Sequence, residues 1–255
     1  MRTIGIALLF ALLAPLPALA AEGPVTGILR AIDHNYEMRT DGRADVTVTQ
    51  QKVDQGTKVF GMQYFRRDAD DSFLIVMTAP ENEKGNGYLR VGDNFWMYRR
   101  NTRTFQHINR DESIGGTDAR GDDFEERKMM EMYAPVLDPQ GGEAIAEDRL
   151  GQVPVYRFEV RAKIEDVDYP KKIYWVRRDN SLILKEEAYS LSGTLMQTAY
   201  YLKYTQVQGA FVAVKFLVID EFEKGNKTVV DIANISTRKL DDAIFTKPYL
   251  ENLSK

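Results

Sequence analysis

After one amphipathic helix, the spacing of apolar residues switches from helical to every second residue, and it keeps that period almost to the C-terminus. A period of two sends successive side chains to opposite faces of a strand, so this switch predicts a sheet protein with a single opening helix. The helix is predicted over 24–38, where Val25, Ile28, Leu29, Ile32 and Tyr36 share one face, Pro24 suits a first turn and Asp41-Gly42 closes the segment. The first β series reads as 46–53, 58–66, 72–78, 87–91, 94–100 and 104–108. The second reads as 144–149, 153–162, 171–177, 182–189, 195–204, 211–220 and 227–234. The separators are short turn sequences such as Gln55-Gly56, Gly92-Asp93, Asp179-Asn180, Ser192-Gly193 and Gln208-Gly209. Parallel neighbours need crossovers of a dozen or more residues, so these strands are antiparallel. Thirteen strands exceed what a flat sheet carries, and the sheet is expected to curl into a concave and a convex face.

Between the two series, 122–132 loses the alternation and reads as a short helix capped by Asp122 or Asp123. The stretch 109–122 reads as a long loop inside one domain, and 240–250 as a turn of helix with an extended end.

The N-terminus sets the compartment. Met1-Arg2 gives a positive start, 4–16 is an apolar run interrupted by Gly5 and Pro15, and Ala18-Leu19-Ala20 places small residues where a signal peptidase reads. The run is shorter than the ~20 residues that cross a bilayer as a helix. A signal peptide over 1–20, cleaved after Ala20, and a single domain over 21–255 in the periplasm are therefore expected. There is no cysteine, which excludes disulfides, thiolate metal sites, a thiol nucleophile and a lipidated cleavage point. Without Arg2 the balance is 33 basic against 38 acidic residues, a net of −5 spread along the chain, which argues against a nucleic-acid partner.

The strands differ in how they divide their faces. Residues 153–162 put Tyr156, Phe158, Val160 and Ala162 on one side and Arg157, Glu159 and Arg161 on the other. By contrast, Phe60, Met62 and Tyr64, then Phe73, Ile75 and Met77, then Phe95 and Met97 lie on strands of which several are also apolar on the opposite face. Two alternatives follow: a core on both faces, or an apolar cavity lined by these eight residues on the concave side. Met129 and Met130 on the short helix suit an adaptable lid, or plain core.

The stretch Gly87-Tyr88-Leu89 through Asn94-Phe95-Trp96-Met97-Tyr98, the loop with Ser113-Ile114-Gly115-Gly116 and Asp122-Asp123-Phe124, then Tyr169-Pro170-Lys171-Lys172-Ile173-Tyr174-Trp175-Val176, Leu184-Lys185-Glu186 and Ser192-Gly193-Thr194-Leu195 resemble the outer-membrane lipoprotein-sorting (LolA/LolB-like) family of periplasmic proteins. The resemblance covers nearly the whole chain after residue 20. It departs at Arg99-Arg100, where a Tyr-x-Pro continuation is expected. It implies a mainly β (α+β) fold, a single antiparallel sheet forming an unclosed half-barrel with an N-terminal helix and a short lid helix on the concave face. It further implies a non-catalytic monomeric carrier of lipoprotein acyl chains or another lipid. The alternative is an accessory module that docks on an inner-membrane transporter and carries no lipid.

Motifs for catalysis are missing from the sequence. His34 and His107 stand apart without metal spacing and read as surface residues. The acidic residues Asp118, Asp122, Asp123, Glu125 and Glu126 lack the spacing of a calcium loop, and no Gly-x-Ser-x-Gly elbow occurs. No cofactor and no metal are expected, and a hydrolase of the converging-carboxylate type is the weakest reading.

Overall fold

The computed structural model describes residues 22–38, 40–109, 112–115, 117, 119 and 128–254. The expected signal peptide, Gly116, the acidic residues from Asp118 to Glu126 and the first part of the expected short helix lie outside the described residues.

The opening helix α1 spans Pro24–Tyr36. The first β series is β1 (Gly42–Lys52), β2 (Gly56–Arg67), β3 (Ser72–Ala79), β4 (Gly87–Val91), β5 (Asn94–Arg99) and β6 (Thr104–His107). A single helical turn, α2 (Met129–Met132), runs directly into β7 (Tyr133–Pro135). The second series is β8 (Ile145–Leu150), β9 (Val153–Ala162), β10 (Lys171–Arg177), β11 (Ile183–Tyr189), β12 (Leu195–Val207), β13 (Ala210–Asp220) and β14 (Lys227–Ser236). A 3-10 turn over Asp242–Phe245 and helix α3 (Lys247–Leu253) follow.

All thirteen expected strands form, within a few residues at their ends, and β7 is an addition. Three residues are too few for a period to show, and β7 exists because Tyr133 to Pro135 finds the free end of β9. The tail, expected to end extended, instead closes as α3, with Pro248 in the first turn and the Thr246 hydroxyl accepting from the Tyr249 amide.

Every strand pairing is antiparallel, in the order β6-β5-β4-β3-β2-β1-β14-β13-β12-β11-β10-β9. β7 and β8 share the last edge, β7 against 160–162 and β8 against 153–158. The two series join where β1 meets β14, with Val46 opposite Ile232 and Val48 opposite Val230. The sheet does not close, because the described edge strands at its two ends, β6 on one side and β7 with β8 on the other, do not pair with each other.

Directly opposed residues point to one face, and Phe60, Val48, Val230, Phe216 and Tyr201 form such a row across five strands. This inner face carries two cores. The first gathers Val46, Val48, Phe60, Met62, Phe73, Ile75, Met77, Tyr88, Phe95 and Met97 under Ile108 and Ile114. The second gathers Phe158, Val160, Tyr174, Val176 and Ile183 under α1, which contributes Val25, Leu29 and Ile32, and under the methionines of α2.

The outer face of the first series is covered as well. Phe65, Leu74, Val76, Leu89 and Tyr98 pack against Ile244, Phe245 and Leu250 of the C-terminal segment. Gly87 permits the approach, since a Cβ there would meet the Leu250 Cδ1 at 2.3 Å. This explains why β3 is buried from Ser72 through Met77 on both parities. Arg67 fastens the segment to the sheet. It donates to Asp41 at 3.2 Å, to Asp242 at 2.7 Å and to the Leu240 carbonyl, and its guanidinium lies 4.8 Å from the Phe245 ring centroid.

Candidate functional site

A cavity of about 330 Å³ lies on the inner face between α1, α2 and strands β10 to β13. Its apolar and aromatic walls are Ile32 and Tyr36 from α1, Met129 from α2, Tyr174 from β10, Ile183 from β11, Tyr201 and Tyr204 from β12, and Ala213 from β13. Hairpin register brings these together: Lys172 and Tyr174 share a parity on β10, and Tyr174 lies opposite both Phe158 and Glu186.

The helical roof is fixed by two carboxylates, one from outside it and one from α1 itself. Glu143, just before β8, accepts from the Val25 amide at 2.6 Å and the Thr26 amide at 2.9 Å, and also bonds the Thr26 hydroxyl. It thus caps the start of α1, where the first amides have no partner within the helix. Gly23 makes room for it, since a Cβ there would sit 2.1 Å from the Glu143 carboxyl carbon. Asp33 on α1 in turn accepts from the Met129 amide at 2.7 Å and the Met130 amide at 3.0 Å. The lone turn α2 is too short to hold itself and is held by that carboxylate.

At the other end of α1 the hydrogen positions follow from the chain of donors. Tyr204 donates to the Ile183 carbonyl at 2.7 Å, so in the 2.9 Å contact between the two phenols Tyr36 is the donor and Tyr204 the acceptor. The Tyr36 oxygen accepts from the Ile183 amide at 3.1 Å. Burial raises the pKa of Tyr36, and raises Tyr174, Tyr201 and Tyr204 more strongly, so all four stay neutral.

The charged side chains in this wall are Asp33, Glu37, Lys128, Lys172 and Glu186, and the last two form an ion pair. Lys172 Nζ lies 2.8 Å from Glu186, with 19% and 12% of the side chains exposed. Burial lowers the lysine, but Glu186, with smaller contributions from Tyr133 and Tyr169, outweighs it and raises the lysine to about 12. The cavity is therefore lined by apolar and aromatic side chains together with five charged ones, of which Lys172 and Glu186 form a fixed dipole.

The eight residues expected to line a concave cavity do share one face and one cluster. Phe60, Met62, Phe73, Ile75, Met77, Phe95 and Met97 are buried, and Tyr64 is partly buried against them. They stand beside the 330 Å³ cavity and are not among its lining residues. Ile114 lies on them fully buried, and the Gly115 amide donates to the Tyr88 hydroxyl at 2.7 Å. Gly115 has φ +60°, and a Cβ there would meet the Met77 Cε at 2.5 Å, so backbone approach to this core requires glycine. Met129 does line the cavity, its sulfur 3.7 Å from the Tyr174 hydroxyl, and Met130 packs beside it. His34 and His107 are both exposed.

Sequence reasoning missed Lys172, Glu186, Tyr36, Tyr174, Tyr201 and Tyr204 as site residues. The signal for Tyr174 lay in the clean alternation of 153–162, whose Phe158 is its cross-strand partner. Nothing local marked Tyr204, because β12 and β13 change register between Tyr201 and Tyr204.

A family model described as an uncharacterized protein matches residues 69–252. The chain belongs to that family. No curated protein matches the sequence. Among solved structures, a LolA superfamily protein from Nitrosomonas europaea aligns at 21% identity over 88% of this chain and 97% of that one, with a TM-score of 0.68. An outer membrane lipoprotein-sorting protein domain from Vibrio parahaemolyticus aligns at 17% identity over 88% and 97%, TM-score 0.71. A DUF1329 family protein from Desulfovibrio piger aligns at 18% identity over 90% and 100%, TM-score 0.74. The fold is thus the LolA-like half-barrel, and at these identities the likeness speaks for architecture alone.

Proposed function

We propose that this LolA-like protein is a non-catalytic periplasmic carrier that holds one apolar chain of a lipid or lipoprotein on the inner face of its half-barrel. The observation that supports this most directly is the cavity beneath α1 and α2. Its volume of about 330 Å³ falls at the lower end of ligand pockets, which run from about 300 to 1,000 Å³. Its aromatic and methionine wall takes hydrocarbon out of water at about 0.8 kcal/mol per methylene, enough for reversible holding of a chain. In this reading a polar linkage at the end of that chain rests against the Lys172–Glu186 pair, the ion pair in the cavity wall. Met129 and Met130 act as its lid. The neighbouring face of Phe60, Met62, Tyr64, Phe73, Ile75, Met77, Phe95 and Met97, on which Ile108 and Ile114 pack, is the second candidate binding surface.

Native mass spectrometry with lipid extraction, on protein purified from the envelope of its own host, tests the proposal. A stoichiometric lipid adduct is expected, and Ala213→Trp, which fills the cavity, removes it while the far-UV dichroism is unchanged. An empty protein in both forms sinks the carrier reading. A second reading, an accessory module docking on an inner-membrane transporter, is favoured by the packed state of the first inner core. Transporter co-purification with an empty protein would put it in front.

A further inference from the structure

Four neighbouring hairpins end on the same side of the sheet. Lys52 pairs with Gly56 at the β1–β2 turn, and Gln51 pairs with Lys227, which sets the β13–β14 turn beside it. Gln197 pairs with Asp220 and Tyr189 with Leu195, which adds the β11–β12 turn, and Lys171 pairs with Tyr189, which adds β9–β10. Each tip carries one large apolar side chain in water: Val53 is 66% exposed, Phe222 67%, Leu191 92% and Ile164 43%. These are four of the nine large apolar residues exposed among the described residues, gathered on one end of the molecule.

We propose that this end is a bilayer-docking rim, with Val53, Phe222, Leu191 and Ile164 entering the interfacial layer of a zwitterionic membrane. Spacing favours a bilayer over a protein partner. Successive tips are two strands apart, about 10 Å, so the row spans about 30 Å with polar residues between its members. A protein interface wants a contiguous apolar centre, whereas a lipid surface accepts separated single anchors.

The backbone of the tips is suited to such contact because much of it is bonded internally. Asp220 N donates to Asn226 O, Ser190 N to Thr194 O, Gly193 N to Ser190 O and Phe222 N to the Asp220 carboxylate. Charge sets the lipid type. Asp54, Glu165, Asp166, Asp168, Glu221 and Glu223 outnumber Lys52, Lys163 and Lys224 on these turns, so an anionic surface is repelled.

Flotation of the purified chain, without its first twenty residues, with phosphatidylcholine–phosphatidylethanolamine vesicles tests this. The protein is expected to float. Val53→Ser, Ile164→Ser, Leu191→Ser and Phe222→Ser combined reduce the bound fraction at least tenfold with an unchanged melting temperature. Leu137→Ser with Leu202→Ser, exposed apolar positions away from the tips, leaves it unchanged, and adding phosphatidylglycerol lowers it. Absence of flotation, equal flotation of the fourfold variant, or an equal loss in the Leu137/Leu202 control overturns the proposal. The cavity-filling Ala213→Trp protein still floats, so this test and that of the carrier reading fail separately.

Discussion

Tyr36, on the opening helix, donates its hydroxyl hydrogen to Tyr204, 168 residues later on β12, across 2.9 Å, with the two rings stacked at 5.9 Å between centroids. The same pair brackets Ile183, bonding its amide and its carbonyl, so a single contact ties α1 to β11 and β12. The end of the helical roof is therefore held by hydrogen bonds that no local stretch of sequence contains.

Tyr204→Phe leaves the Ile183 carbonyl without this donor and is expected to cost about 1–2 kcal/mol. Tyr36→Phe costs a similar amount, and the double variant costs less than their sum by more than about 0.5 kcal/mol, since both lose one network. Urea unfolding of the four proteins measures the coupling. Additive effects would show the two phenols to be independent.

Asp33→Ala removes the side-chain acceptor that holds the amides of Met129 and Met130 among the described residues. A lost carboxylate cap costs about 0.5–2 kcal/mol. Hydrogen exchange at those two amides should quicken by at least the corresponding factor, while the strand amides of β3 keep their protection. Equal acceleration everywhere would mean global destabilisation instead of a released lid.

Arg67→Ala frees the C-terminal segment from the outer face. Arg67 and Asp41 are 11% and 13% exposed, and breaking a largely buried pair from one side costs about 3–5 kcal/mol. Burial pushes the Asp41 carboxyl up, but the Arg67 bonds outweigh it and leave the group below its ordinary 3.8. Its contribution is thus present above pH 3.8 and is lost as pH falls through the lower folded value. Stability measured in acid should show this loss in the native protein and not in the Arg67 variant.

Lys172→Met leaves Glu186 buried without its cation and is expected to cost about 3–5 kcal/mol, whereas Lys172→Met with Glu186→Leu is near neutral. The lysine is raised from 10.5 to about 12, so its stabilisation is complete below pH 10.5 and lost as pH rises through 12. Thermal melts between pH 9 and 12 should show a decline that the double variant lacks.

Much of the fold was legible because its signal is local. The period of two in 153–162 and the turn at Gly151-Gln152 follow from covalent geometry, and they name the strand and its wet and dry sides without reference to any partner. The same parity placed Phe60, Met62, Phe73, Ile75, Phe95 and Met97 on one face, and all six meet in one core. The sequence by itself therefore determined the opening helix, the hairpins and which side chains travel together.

What covers each face was decided only in three dimensions. β3 is apolar on both parities, and a local pattern of that kind cannot distinguish a ligand cavity from core under another segment. The C-terminal helix took the outer face because Gly87 lets Leu250 approach and Arg67 reaches Asp41 and Asp242 at once. The cavity formed where α1, capped by Glu143 and tethered by Tyr204, stands over β10 to β13. Those contacts join residues more than a hundred positions apart, and their free energy exists only once the chain has brought them together.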